Sequence, residues 1–146
     1  AGGIRNGADV AKAIALGADA IALGHSVLMA LNCNKDIPEA NYQDEMGVEP
    51  GYCYHCHTGR CPVGVATQDP ALRVRLNPDE AAERVYNFLH TLTIEAQLFA
   101  RACGKTNVHS LEPEDLAALT MEASAMAGVP LAGTEYTVGV KDYHHL

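Results

Sequence analysis

Gly17-Ala18-Asp19-Ala20-Ile21-Ala22-Leu23-Gly24 decides how this chain reads. The stretch is short, almost wholly apolar and bounded by glycine at both ends. Those are the marks of a strand buried on both faces in a parallel sheet. A helix precedes it. Val10, Ala13, Ile14 and Gly17 recur at helical spacing between Asp9 and Leu16, with Gly17 as the stop. Asn6-Gly7, just before, is a turn signal. After Gly24, His25 to Leu31 reads as the start of another helix. Glycine turn, helix, strand, glycine turn, helix is the rhythm of an α/β chain. The opening Ala1-Gly2-Gly3-Ile4-Arg5 starts inside a glycine turn without Met, as expected of a C-terminal piece of something longer.

Downstream the rhythm breaks. Asp36, Pro38, Asn41, Asp44, Gly47, Pro50 and Gly51 leave little room for a regular element, so residues 34–60 read as a long loop that carries cysteines. Loops of that length inside a compact domain are usually functional or disordered. Asn77-Pro78-Asp79-Glu80 then starts a helix: an Asn cap, Pro in the first helical position and Glu three after the cap. Val85, Leu89, Leu92, Ala96, Phe99 and Cys103 recur every three or four residues and predict one apolar stripe, ended by Gly104. A second helix is expected from about Pro113 to Ala127, with Leu116, Leu119, Ala123 and Ala127 on one face and Gly128 as its stop. Val129 to Leu146 reads as a tail. The organisation expected is 1–33 as β-α units, 34–70 as the cysteine loop and 71–146 as a helical segment of the same domain.

Composition narrows the function classes. The chain has 146 residues, 48% of them hydrophobic and 19% charged, enough for one compact domain and too apolar for a disordered one. Ten basic residues against 18 acidic ones give a net charge of −8, and no Lys/Arg cluster forms a stripe, so a nucleic-acid partner is not expected. The longest apolar stretch, Val10 to Leu31, is broken by Lys12, Asp19 and glycines, which argues against a membrane span. No basic-apolar-small leader is seen, and the expected compartment is the cytoplasm. Five cysteines, an odd number, then suggest a metal or cluster in a reducing compartment rather than a disulfide framework.

Two features carry chemistry. Gly2-Gly3-Ile4-Arg5 and Leu23-Gly24-His25-Ser26 are glycine turns at the ends of two successive β-α units. In eight-stranded β/α barrels the last such loops often bind phosphate. Glycine lets the backbone approach an anion, exposed N–H groups point at it, and a helix N-terminus adds partial positive charge. Arg5 offers a guanidinium and Ser26 a hydroxyl. His25, at a helix start, reads as a satisfied polar residue rather than a catalytic base.

The second feature is Cys53-Tyr54-His55-Cys56-His57-Thr58-Gly59-Arg60-Cys61-Pro62, with Cys33 upstream. Cys-x-x-Cys lets two thiolates reach one ion or one cluster edge. Zinc would want four ligands, from Cys53, Cys56, Cys61 and either Cys33 or a histidine. An iron–sulfur cluster would use the same thiolates. A redox dithiol would need only Cys53 and Cys56. His55 and His57 read as surface residues, Arg60 as a charge that could stabilise a negative cluster, and Tyr52 and Tyr54 as a shield against water. Cys103, on the apolar stripe, is expected in the core.

These residues resemble the large subunits of glutamate synthases. Gly2 through Val10, Gly17 through Gly24 and Ala30-Leu31-Asn32-Cys33 look like the end of that family's flavin barrel. Cys56-His57-Thr58-Gly59-Arg60-Cys61-Pro62-Val63-Gly64-Val65-Ala66-Thr67-Gln68-Asp69-Pro70 resembles its cluster loop closely, and Asn107-Val108-His109, Asp115-Leu116 and Ala118-Leu119-Thr120 continue the likeness. The resemblance implies an α/β fold: the C-terminal part of a (β/α)8 TIM barrel with an inserted iron–sulfur cysteine loop and a helical tail. It implies FMN, its phosphate held by Gly2, Gly3, Arg5, Gly24, His25 and Ser26. It implies an iron–sulfur cluster on Cys33, Cys56 and Cys61. The inserted loop, unlike the bacterial pattern, adds Cys53 as a fourth thiol, which leaves a 3Fe-4S and a 4Fe-4S cluster both open.

The activity implied is an oxidoreductase that reduces 2-iminoglutarate, formed from 2-oxoglutarate and ammonia, to L-glutamate. Its partners would be an electron donor, ferredoxin or an NAD(P)H-linked subunit, and a glutaminase subunit or domain. A related FMN enzyme such as N-methylglutamate synthase, and a non-catalytic zinc-binding module, are the alternatives. No catalytic residue is assigned, because the family's substrate contacts lie mainly on earlier barrel strands, and this segment alone is expected to be inactive.

Overall fold

The computed structural model describes residues 2–33, 35, 37, 43, 46–49 and 52–139. Asp36, Pro38, Asn41, Asp44, Pro50 and Gly51 of the expected loop, and the tail beyond residue 139, lie outside them. The described elements are helices α1 (Gly7–Ala15), α2 (His25–Ala30), α3 (Pro70–Arg73), α4 (Pro78–Ala102) and α5 (Met121–Ala127), with 3₁₀ turns at His55–Thr58, Val108–Ser110 and Pro113–Asp115. They fall into two compact units. One comprises Gly3–Ala22 and Thr91 onward, the other Gly2 and Leu23–His90.

In the first unit, α1 begins earlier than expected. Asn6 is not in a turn but is the helix cap: its side chain accepts a hydrogen bond from the Asp9 N–H at 3.0 Å, and Gly7 opens the helix. Asp9 ion-pairs with Lys12 at 3.1 Å and accepts the Arg5 N–H at 3.0 Å; Lys12 first, then that backbone bond, hold its carboxyl below the usual range. At the far end Gly17, at φ +99°, donates to the Ile14 carbonyl and Ala18 donates to that of Ala13. This left-handed pair of closing bonds ends a helix without leaving carbonyls unpaired. Ala11, Ile14 and Ala15 are buried against Ala100 and Leu111, with Val10, Ala18, Ile21, Val108 and Leu116 packed around them.

The expected strand is not there. No strand occurs among the described residues, and the span from Ala18 to Gly24 is irregular, with Asp19, Ala20, Ala22 and Gly24 exposed. A parallel strand exists only where neighbours take its N–H and C=O groups, and the described residues offer none. The barrel itself is therefore not seen.

Helix α4 starts where the sequence places it. Asn77 Oδ1 accepts from the Asp79 N–H at 3.2 Å, and Asn77 Nδ2 donates to Glu80 Oε1 at 3.0 Å. It ends as α1 does, with Gly104 at φ +74°. The buried face, however, is turned from the expected one. Ala81, Leu92, Ala96 and Ala100 are buried and Val85 and Phe88 half-buried, whereas Leu89, Phe99 and Cys103 are exposed. Small alanines let the helix approach its neighbours closely, and hydrophobic periodicity gives them too little weight. Cys103 is thus no core residue.

The helix expected from Pro113 to Ala127 is also corrected. A reciprocal cap between Glu112 and Asp115 closes a single 3₁₀ turn, and Lys105 pairs with both carboxylates, at 2.9 and 3.6 Å. Hydrogen bonding to Glu112 raises the Lys105 pKa above its usual value. The chain then runs extended to a bridge between Ala118 and Leu131, and Thr120 caps a new helix, α5. Leu119 and Ala123 are exposed, and the buried residue of α5 is Ser124. Its Oγ donates to the Val129 carbonyl at 2.7 Å and accepts the Val138 N–H at 3.1 Å. Ser124→Ala strands both groups, so it should cost about 1–3 kcal/mol. Urea unfolding checks this; a loss under about 0.5 kcal/mol would show that water replaces the hydroxyl.

Candidate functional site

The second unit assembles the cysteines. Cys33 is placed by the end of α2. Asn32 sits at φ +74°, the one positive φ outside glycine among the described residues. Its N–H donates to the Met29 carbonyl at 2.9 Å, and the Cys33 N–H donates to that of Leu28 at 3.0 Å. This is the same closure that ends α1 and α4, with Asn in place of Gly because Asn tolerates the left-handed conformation best after glycine. Cys33 is the residue this closure turns back along the helix.

Cys56 lies in the 3₁₀ turn His55–Thr58, and Cys53 just before it. Thr58 Oγ donates to the His55 carbonyl at 2.7 Å, and Gly59, at φ +73°, ends the turn. The chain then enters a tight frame. Thr67, buried, donates to the Gly59 carbonyl and accepts the Asp69 N–H at 3.1 Å. Asp69 in turn caps α3 at Ala71. Arg75 Nη1 donates to the Pro62 carbonyl at 2.9 Å, and the Gly64 N–H donates to that of Cys61 at 3.2 Å. Pro62 is fully buried, and Cys61 packs with Ile37 and Val63, each under 7% exposed. Cys61 is therefore fixed in a dry, rigid corner, while Cys56, five residues earlier, faces solvent.

Cys33, Cys53 and Cys56 line one cavity of about 240 Å³, together with His25, Leu28, Met29 and Tyr54. Cys61 is not in its wall, but its charge, like those of Cys53 and Cys56, acts on Cys33. Burial first, then those three neighbours, push the Cys33 thiol above its ordinary pKa. All five cysteines are free. Among the described residues no three His, Cys, Asp or Glu side chains converge as one metal ion requires. Four thiolates around one zinc stand about 4 Å apart. Each thiolate of a cluster binds its own iron, and their spacing is wider.

The other expected roles come out unevenly. His25 lines the cysteine cavity, a placement its sequence position did not suggest. His55 stacks on Tyr54 with ring centroids 5.1 Å apart, His57 is exposed, and neither lines the cavity. Tyr54 lines it but is 70% exposed, and Tyr52 is 76% exposed, so neither encloses the thiols. Arg60 is exposed and is not in the wall. Of the glycine turns, Gly3 takes φ +81°, which needs glycine, and no atom crowds it. Arg5 is exposed. Gly24 precedes α2, whose first turn has no side-chain cap. Gly3 and Arg5 belong to the first unit; Gly2, Gly24, His25 and Ser26 belong to the second.

Residues 44–106 match the family model described as a conserved region in glutamate synthase, and residues 1–37 match FMN-dependent dehydrogenase. A glutamate synthase large subunit-like protein of Rhizobium meliloti is 55% identical over 138 residues, 94% of this chain and 31% of that protein. An archaeal-type glutamate synthase (NADPH) of Dehalococcoides mccartyi is 37% identical over 90% of the chain and 24% of its own length. An archaeal glutamate synthase (NADPH) of Archaeoglobus fulgidus is 40% identical over 76% and 18%. The chain thus spans less than a third of each of these relatives. No solved structure matches it. No described helix is long and apolar enough to cross a membrane.

Proposed function

The chain belongs to the glutamate synthase large-subunit family, and from that premise we propose that it supplies the phosphate turns of an FMN site and an iron–sulfur site to an oxidoreductase making L-glutamate. The observation that carries the reading is the gathering of Cys33, Cys53 and Cys56 on one cavity, with Cys61 held in the frame beside it. A cationic metal centre binds cysteines as thiolates.

The FMN assignment is supported by the match of residues 1–37 to FMN-dependent dehydrogenase. That span holds both glycine turns. Gly2, Gly3 and Arg5 on one, and Gly24, His25 and Ser26 on the other, would hold the phosphate. Gly3 offers uncrowded backbone, Arg5 an exposed guanidinium, and the first turn of α2 its uncapped N–H groups. FMN, when bound, supplies the hydride that turns 2-iminoglutarate into L-glutamate. This chain's residues anchor its phosphate and hold the electron-relaying cluster; none is assigned to touch the substrate. The reducing electrons would come from a partner protein or subunit, with NADPH the donor named for the archaeal-type relatives. A glutaminase subunit or domain would supply ammonia, and the cytoplasm is the compartment proposed.

The test is to purify the full gene product without oxygen, measure flavin, iron and acid-labile sulfide, reduce the flavin and add 2-oxoglutarate with ammonium. The expected result is bound FMN, a cluster, and flavin reoxidation with formation of glutamate. Protein with neither flavin nor acid-labile sulfide would overturn the reading. Reoxidation by methylammonium but not ammonium would move the product to N-methylglutamate.

A further inference from the structure

We propose that the exposed face of α4 is a self-association surface, which takes the α4 of a second copy of this chain in antiparallel register. This face shares no residue with the phosphate turns or the cysteine cavity.

The covered side of α4 holds Ala81, Leu92, Ala96 and Ala100. Across the helix from Leu92 runs a second stripe: Glu83, Asn87, His90, Ile94, Gln97 and Arg101, stepping by four and three residues in turn. That spacing keeps a stripe facing a neighbouring helix whose axis lies within about 20° of its own. All six residues are exposed, as are Tyr86 and Leu98 on either side of them. Tyr86, Ile94 and Leu98 are 64%, 42% and 54% exposed. Single exposed apolar residues need no explanation, but three together on one side of one helix mark an interaction surface. Tyr86 stacks on His90, ring centroids 5.5 Å apart and planes 8° from parallel, so part of the face is ordered before any contact and costs less entropy to dock.

The order of these residues identifies the occupant. Helix α4 is unbroken from Pro78 to Ala102, so its repeat alone fixes their register. Under a two-fold axis opposite Leu92, positions equidistant from Leu92 exchange. Ile94 of one copy then meets His90 of the other, Leu98 meets Tyr86 and Gln97 meets Asn87: apolar against aromatic, amide against amide. Arg101 meets Glu83 at both ends, giving two ion pairs about 27 Å apart along the helices. Parallel pairing would instead set Glu83 on Glu83 and Arg101 on Arg101. Among the described residues neither Glu83 nor Arg101 forms a salt bridge within the chain, although the adjacent Arg84 pairs with Glu80 at 3.6 Å. A face complementary to itself under a two-fold rotation is what an isologous dimer requires. An unrelated protein would need no such symmetry.

The test is sedimentation of the full gene product over a range of concentrations, as wild type, Ile94→Glu, Glu83→Arg, Arg101→Glu and the double swap Glu83→Arg/Arg101→Glu. Far-UV circular dichroism reports folding, which these exposed positions should leave intact. The wild type should self-associate. Ile94→Glu buries a charge at the centre of the contact in both copies and should raise the dissociation constant about a hundredfold or more. Each single swap sets like charges together at both ends and should raise it about tenfold. The double swap restores both pairs and should return it to within about threefold of wild type.

Wild type that stays monomeric would overturn the proposal even if a variant fails to fold. So would an assembly that Ile94→Glu leaves intact, because another segment of the full chain or another protein then covers the face. A double swap that associates no better than either single one would overturn it as well, since antiparallel register is what the swap restores.

Discussion

Gly64→Ala should destabilise the protein by about 3 kcal/mol and disturb the frame that fixes Cys61. Gly64 sits at φ +82°, where an L side chain costs about 1–2 kcal/mol. An added Cβ would also stand 2.5 Å from the Leu72 carbonyl oxygen, 3.2 Å from the Leu76 nitrogen and 3.3 Å from the Arg73 carbonyl oxygen. These are backbone atoms at the end of α3 and just beyond it, so no rotamer change relieves the contact, and overpacking of this kind adds about 1–3 kcal/mol. The strain has a direct route to the site, because the Gly64 N–H holds the Cys61 carbonyl and Arg75, from the segment that must shift, holds that of Pro62. The expected readout is a lower urea midpoint and, on the iron–sulfur reading proposed above, loss of acid-labile sulfide. An unchanged midpoint would show that the frame from residue 61 to 76 is softer than its hydrogen bonds indicate.

Gly7→Ala should cost at least as much, about 3 kcal/mol or more, while acting on the other unit. Here φ is helical and conformational strain is not the cause. The Cβ would run into the Glu95 side chain and come within 2.6 Å of the Ala96 nitrogen and 2.8 Å of the Glu95 carbonyl carbon. Helix α4 cannot yield those backbone atoms without breaking its own hydrogen bonds, so α1 must move away. Two things are then lost: the Gly7 N–H bond to Glu95 Oε2, at 2.7 Å, and the packing of Ala11, Ile14 and Ala15 on Ala100. The cost exceeds that of ordinary overpacking because the obstacle is main chain. Urea unfolding of the variant measures it. A loss below about 1 kcal/mol would mean that the close contact of α1 with α4 is not required for stability.

Much of the local structure was legible in the sequence. Asn77-Pro78 and Gly104 bound α4, Gly17 ends α1 and Gly128 ends α5, each through hydrogen bonds between residues two to five apart. The Cys56–Cys61 spacing was equally plain, and so was the family likeness. Asn32 was the missed signal. It is a polar residue one position after a helix cap, in the place usually held by glycine, and it could have marked how Cys33 is aimed. Ser124 was passed over because a hydroxyl does not register in an apolar pattern, although it is the most buried side chain of its helix.

By itself, then, the sequence determined where α4 starts, where α1, α4 and α5 stop and which thiols are available, because caps and motif spacings involve only near neighbours along the chain. Which face of α4 is covered, and whether Ala18–Gly24 pairs as a strand, depend on surfaces brought from far along the chain or not offered among the described residues. The meeting of Cys33 with Cys53 and Cys56 is of the same kind. Twenty residues separate Cys33 from Cys53, and only the folding of the second unit puts them on one cavity. Burial and pairing are properties of contacts, and contacts between distant segments exist only once the chain has closed on itself.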